Sequence, residues 1–86
     1  MIKTINVGSY PLGVTITPDG RYIYVANRNS DMVSEISGSD NAVIKNISVE
    51  SNPWGLAVAP DGAYVYVVNE GNATTHAPST VSIIAT

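Results

Sequence analysis

Two six-residue runs carry apolar or aromatic groups at nearly every position, Tyr22-Ile23-Tyr24-Val25-Ala26-Asn27 and Tyr64-Val65-Tyr66-Val67-Val68-Asn69. Short runs with no polar face predict strands of a sheet that is covered on both sides. Ahead of each lies another apolar run, Gly13–Thr17 and Gly55–Ala59, joined to it through Pro18-Asp19-Gly20 and Pro60-Asp61-Gly62. Proline fixes φ, aspartate bonds the backbone that follows it, and glycine accepts a positive φ, so both pairs read as hairpins. A third strand is expected over Met32–Ile36 and again over Thr80–Ile84. A fourth is expected over Val43–Val49, with Ile2–Val7 as its earlier equivalent.

The pattern occurs twice. Set Ile2–Asn27 against Ile44–Asn69, an offset of 42, and 14 of 26 paired positions are identical without a gap. The third strands are related by an offset of 48, so the second copy holds six extra residues around Ala73–Pro78. A period near 40 residues built from short β-runs predicts β-propeller blades, and hence an all-β chain of four-stranded antiparallel sheets. Repeat 1 covers about 2–43 and repeat 2 about 44–86, two blades in a single unit spanning 1–86. With strands lettered A to D from the ring axis outward, the chain reads D, A-B-C-D, A-B-C. The leading D strand, Ile2–Val7, is left to complete a C-terminal blade. Two blades cannot close a ring. The expectation is therefore a homo-oligomer in which each chain donates Ile2–Val7 head to tail to the next. Such a ring has an even number of blades, and a trimer is favoured over a tetramer.

From Asn52-Pro53-Trp54-Gly55-Leu56-Ala57-Val58-Ala59-Pro60-Asp61-Gly62 to Tyr64–Asn69, and again over Pro11–Asn27, the chain resembles the YVTN β-propeller repeat. That family includes archaeal surface-layer propellers and related bacterial proteins. It departs from the motif at Ala26 and Val68, where the family has threonine. Family members usually carry about seven blades in one chain. The motif residues maintain the blade, so the resemblance implies the fold more strongly than any activity. It implies a surface protein, and some relatives of this type are lactonases or lyases.

Charge and composition narrow the partners. The formal charge is −3 with four basic residues, Lys3, Arg21, Arg28 and Lys45, which form no cluster. Neither nucleic acid nor an anionic membrane surface is an expected partner. No run approaches 18 apolar residues, so no membrane insertion is expected. Cysteine is absent, which removes disulfides and thiolate chemistry.

Candidate chemistry is sparse. Asp19 and Asp61 are the carboxylates in repeated positions, but equivalent hairpin turns one blade apart do not bring two carboxylates to one cleft. Asn27 and Asn69 end the B strands, where an amide can close turn backbone. Tyr22, Tyr24, Tyr64 and Tyr66 alternate along one face and are expected to pack between blades. His76 is the sole histidine, with no acidic cluster nearby, which makes a poor metal site. No catalytic residue, metal site or cofactor is expected.

One surface stands out. The D–A and B–C connections of a propeller emerge on the same side of the disk, here carrying Tyr10 and Pro11, Arg28–Asp31, Asn52–Trp54 and Glu70–Pro78. Tyr10, Trp54 and His76 are the candidate ligand-binding residues on it, aromatic groups beside polar loops at a ring opening. The alternative is that Trp54 and its counterpart Leu12 only cap the blade junction. Asn46-Ile47-Ser48 and Asn72-Ala73-Thr74 are two acceptor tripeptides for glycosylation, consistent with an extracellular or cell-surface protein. The expected function is a non-enzymatic structural or interaction module whose partners are itself and a cell-surface protein or glycan. The alternatives are a small oligomeric lectin and, third, a lactonase- or lyase-type enzyme.

Overall fold

A computed structural model describes residues 4–86. They form seven strands: β1 (Pro11–Ile16), β2 (Tyr22–Asn27), β3 (Met32–Ser37), β4 (Ala42–Ser48), β5 (Pro53–Val58), β6 (Tyr64–Asn69) and β7 (Thr80–Ala85). The first four make one antiparallel meander in the order β1-β2-β3-β4, and the last three another in the order β5-β6-β7. The helical content among the described residues is one 3-10 turn, Arg28–Ser30. The chain is all-β, as its pattern predicts.

Strands β1 and β5 begin two residues before the expected starts, at Pro11 and Pro53. Proline is harmless as the first residue of a strand because it has no N–H to give a ladder. A register shift follows it in both sheets, between Pro11 and Gly13 and between Pro53 and Gly55. The same bulge at equivalent positions means that the repeat encodes irregularity as faithfully as pairing. The hairpins also agree. Asp19 Oδ1 accepts from the Arg21 N–H and Asp61 Oδ1 from the Ala63 N–H, both at 3.0 Å, while Gly20 and Gly62 each take φ +75°.

The two sheets stack through a core of Tyr24, Val33, Val65 and Val67, with Tyr22, Ile47, Val49, Leu56, Val58 and Ile84 packed around it. Period-2 alternation decides which side chains enter. In the first sheet Tyr22 and Tyr24 point into the junction, whereas Ile23 and Val25 belong to the opposite face. In the second sheet Val65 and Val67 point in, and Tyr64 and Tyr66 lie outside, 47% and 40% exposed. Two tyrosines of the expected four are therefore in the junction. Equivalent faces never meet. The stacking is head to tail.

Among the described residues the second sheet has three strands, and the outer edge of β7 has no partner strand. Thr4–Val7 belongs to no sheet, and the remainder of the expected Ile2–Val7 strand extends outside the described residues. The extra segment of the second repeat is closed at its base by paired backbone bonds between Asn72 and Ala77, each 3.0 Å. No helix among the described residues is long and apolar enough to cross a membrane.

Candidate recognition face

Backbone pairing builds the loop face, and it does so twice. In the first blade the Arg28 N–H donates to the Tyr10 carbonyl (3.0 Å) and the Asn29 N–H to that of Ser9 (3.2 Å). In the second, the Glu70 N–H donates to the Asn52 carbonyl (2.9 Å) and the Gly71 N–H to that of Ser51 (3.0 Å). Each D–A connection is thus clamped to the B–C loop of its own blade. Asp31, at φ +53°, then links the blades. Its Oδ1 accepts from the Asn52 N–H at 2.9 Å and its carbonyl from the Val49 N–H at 3.1 Å.

Above this frame, Arg28 spans the seam. Its Nη2 donates to Glu70 Oε1 at 2.5 Å, and its guanidinium carbon lies 5.6 Å from the centre of the Trp54 ring. Both geometries suit arginine, whose planar cation bonds carboxylates in its plane and stacks on rings through its face. Sequence reasoning missed this pair; the signal for it was that Arg28 and Glu70 occupy equivalent positions of the two repeats, 42 residues apart, with opposite charge. Arg28 Nε is buried and has no hydrogen-bond partner.

Tyr10 and Trp54 both lie on this face, 58% and 52% exposed, and Arg28 connects them, bonded to the Tyr10 backbone and stacked on Trp54. Leu12, the counterpart of Trp54, is also exposed. His76 sits in the turn of the insertion, exposed, at φ +62°, and no hydrogen bond ties it to the other two.

Tyr10 adopts φ +55°, and its counterpart Asn52 adopts φ +56°. Asparagine suits this left-handed position, whereas a bulky aromatic there is strained. Asn52 further donates from Nδ2 to the Gly71 carbonyl at 2.7 Å, a bond that tyrosine cannot make.

The B-strand amides tie strands together more than they close turns. Asn27 Oδ1 accepts from the Gly8 N–H at 3.1 Å, and its Nδ2 donates to Ser34 Oγ at 2.8 Å. Asn69 Nδ2 donates to Thr80 Oγ1 and Ser82 Oγ, while its Oδ1 is buried without a partner. Of the glycosylation candidates, Asn46 is exposed on β4 and accepts from Ser34 Oγ at 2.7 Å. Asn72 Oδ1 accepts from the Thr74 and Thr75 N–H groups at the start of the insertion.

The carboxylates are structural in their contacts. Asp19 and Asp61 cap their own hairpins at the end of the blades opposite to the loop face. Hydrogen bonds from the Arg21 backbone and then the Thr17 hydroxyl hold the Asp19 carboxyl below its ordinary value. Glu35 is buried at the blade junction and accepts from Tyr24 Oη at 2.8 Å. Among the described residues no three His, Cys, Asp or Glu side chains gather into a metal-sized cluster. A hollow of about 340 Å³ at the hairpin end is lined by Gly20, Arg21, Tyr22, Ser37, Gly38 and Ser39, which offers no acid–base pair.

Residues 3–79 match the family model described as lactonase, 7-bladed β-propeller. No curated protein sequence matches the chain. Among solved structures it is similar to Kuenenia stuttgartiensis hydrazine synthase, at 34% identity and TM-score 0.80 over 88% of this chain. It is also similar to the dihydro-heme d1 dehydrogenase NirN in complex with DHE, at 26% identity and TM-score 0.71 over 87%. A functionally unknown protein from Desulfotomaculum acetoxidans matches at 25% identity and TM-score 0.69 over 90%. The chain spans 20%, 15% and 26% of those three proteins' lengths, respectively.

Proposed function

Since the chain belongs to the lactonase family of seven-bladed β-propellers, we propose that it serves as propeller blades whose loop face recognises a partner without catalysing a reaction. The observation that carries this reading is the Arg28–Glu70–Trp54 junction with Tyr10 beside it. Exposed aromatic rings, a guanidinium and a carboxylate share one rigid, backbone-clamped surface. Such a surface suits a glycan or a polar peptide, because sugar rings stack on indole while their hydroxyls bond charged groups. The strained backbone of Tyr10 supports it too, since strain kept where asparagine would relieve it points to a use for the side chain.

A cell-surface setting fits the resemblance to YVTN-type surface-layer propellers and the two glycosylation tripeptides, with Asn46 exposed on β4 and Asn72 half-buried at the start of the insertion. Lactone hydrolysis, the activity in the family's name, is the competing reading and rests on that match alone. Asp19 and Asp61 are spent on their own turns, and Glu35 is spent on Tyr24.

A glycan array probed with the purified chain, followed by Trp54 fluorescence titration of any hit, tests the proposal. Binding should be saturable and Trp54→Ala should abolish it. Turnover of simple lactones by the wild-type protein, or binding that Trp54→Ala leaves unchanged, would overturn it.

A further inference from the structure

We propose that Asn72 is an acceptor for an N-linked glycan, presented by the insertion of the second repeat, and that Asn46 is not one. This goes beyond recognition by the loop face and holds whatever that face binds.

The insertion is not built for packing. Ala73, Thr74, Thr75 and His76 are all exposed, while the strands on either side, β6 and β7, pair in the same register as β2 and β3. Six added residues lengthen a loop at an entropic cost and supply nothing to the core. What they add is chemistry. Asn72 occupies the position of Ser30 in the first repeat, and the insertion sets Ala73-Thr74 behind it, completing an acceptor tripeptide that the first repeat lacks there.

The backbone of the insertion then fixes the asparagine. Reciprocal bonds between Asn72 and Ala77, each 3.0 Å, close a narrow loop. Within it Asn72 Oδ1 accepts from the Thr74 N–H at 2.9 Å and from the Thr75 N–H at 3.3 Å. The amide is held with its oxygen over the turn. Its Nδ2 has no hydrogen-bond partner among the described residues and is not buried, although the residue as a whole is half-buried. Two donors on Oδ1 also draw charge toward that oxygen, which makes a proton on Nδ2 easier to lose. Thr74 is exposed, and its hydroxyl is left unbonded for a transferase to read.

Asn46 carries the same kind of tripeptide in the wrong setting. It lies within β4 and is paired to β3 through Ser34↔Asn46. Extended backbone holds Ser48 about 7 Å farther along the strand, so no turn brings its hydroxyl back beside the amide. Asn46 Oδ1 accepts from the Ser34 hydroxyl at 2.7 Å, and that hydroxyl is bonded in turn to the buried Asn27. An enzyme that needs a bent acceptor would have to pull β4 out of its sheet.

The transfer is a substitution at a sugar carbon. Nδ2 forms the bond to C1 of a glycan carried on a lipid diphosphate, and the bond from C1 to the diphosphate oxygen breaks. The lipid diphosphate leaves with the electron pair, and the Nδ2 proton passes to a base of the transferase.

The folded 86-residue chain, incubated with an oligosaccharyltransferase and a lipid diphosphate-linked glycan, tests the proposal. A short peptide bearing Asn-Ala-Thr serves as the control that the reaction runs. The intact mass of the chain should rise by one glycan. Asn72→Gln should abolish the rise, and so should Thr74→Ala, which keeps the backbone N–H that holds Oδ1. Asn46→Gln should leave the rise unchanged, and the far-ultraviolet circular dichroism of all three variants should match the wild type. An unmodified wild type, a glycan that survives Asn72→Gln, or a glycan removed by Asn46→Gln overturns the proposal. None of these readouts depends on what the loop face binds.

Discussion

Tyr24 Oη donates to Glu35 Oε2 at 2.8 Å across neighbouring strands β2 and β3, inside the junction between the blades. The ring is fully buried and the carboxylate nearly so. Its repeat counterpart is Tyr66 opposite Ile83, so the polar pair occurs at one junction only. A buried acceptor is expensive to orphan, because it has left water and has no other donor. Tyr24→Phe should therefore destabilise the fold by about 1–3 kcal/mol, with Tyr66→Phe close to neutral. Thermal melts of the two variants check this.

The same pair sets an alkaline limit. Burial, and then the hydrogen bond to Glu35, pushes the Tyr24 phenol above its ordinary value of 10.0. A group whose folded value lies above the unfolded one contributes stability that is complete below the unfolded value and lost as pH rises toward the folded one. The melting temperature should fall as pH increases beyond about 10. In Tyr24→Phe that fall should be smaller, as measured by calorimetry across the alkaline range.

At the acid end Asp19 acts in the opposite sense. Its folded value is depressed below 3.8 by the Arg21 N–H and the Thr17 hydroxyl. The stability it adds is present above the unfolded value and disappears as pH drops through the folded one. Asp19→Asn should flatten the decline of the melting temperature below about pH 4, while lowering stability at neutral pH.

Tyr10→Asn should stabilise the chain. The substitution places in the first repeat what the second already has, a residue at ease near φ +55° that can donate to the facing loop carbonyl. Relief of the strained backbone is worth about 1 kcal/mol, or roughly 4–8 °C for a domain of this size. The same variant should weaken any ligand held at Trp54. A gain in melting temperature together with unchanged binding would show that Tyr10 has no part in the site.

Gly71 is irreplaceable for a different reason. It sits at φ +83°, and a Cβ there would lie 2.6 Å from the Ala77 carbonyl oxygen and 2.7 Å from that of Pro78. Gly71→Ala should open the base of the insertion. Faster proteolysis within residues 72–79, with the sheets intact by circular dichroism, is the expected result.

Strand positions, hairpins and the blade repeat were legible in the chain because they depend on local chemistry. Pro-Asp-Gly sets a turn wherever it occurs, and a 42-residue echo of Tyr-x-Tyr-x-x-Asn needs no partner to be seen. Tyr10, Trp54 and the two connecting loops were placed on one face by connectivity alone. Which tyrosines are buried was not legible. Tyr22-x-Tyr24 and Tyr64-x-Tyr66 are the same local signal, yet one pair fills a junction and the other faces outward. That difference belongs to stacking order, and stacking is set by what lies beyond each sheet. The partners of Arg28 were decided in the same way. Its charge was visible, but a cation can reach many carboxylates. Only the alignment of two blades brings Glu70 within hydrogen-bond reach of the guanidinium and the Trp54 ring to 5.6 Å from its carbon.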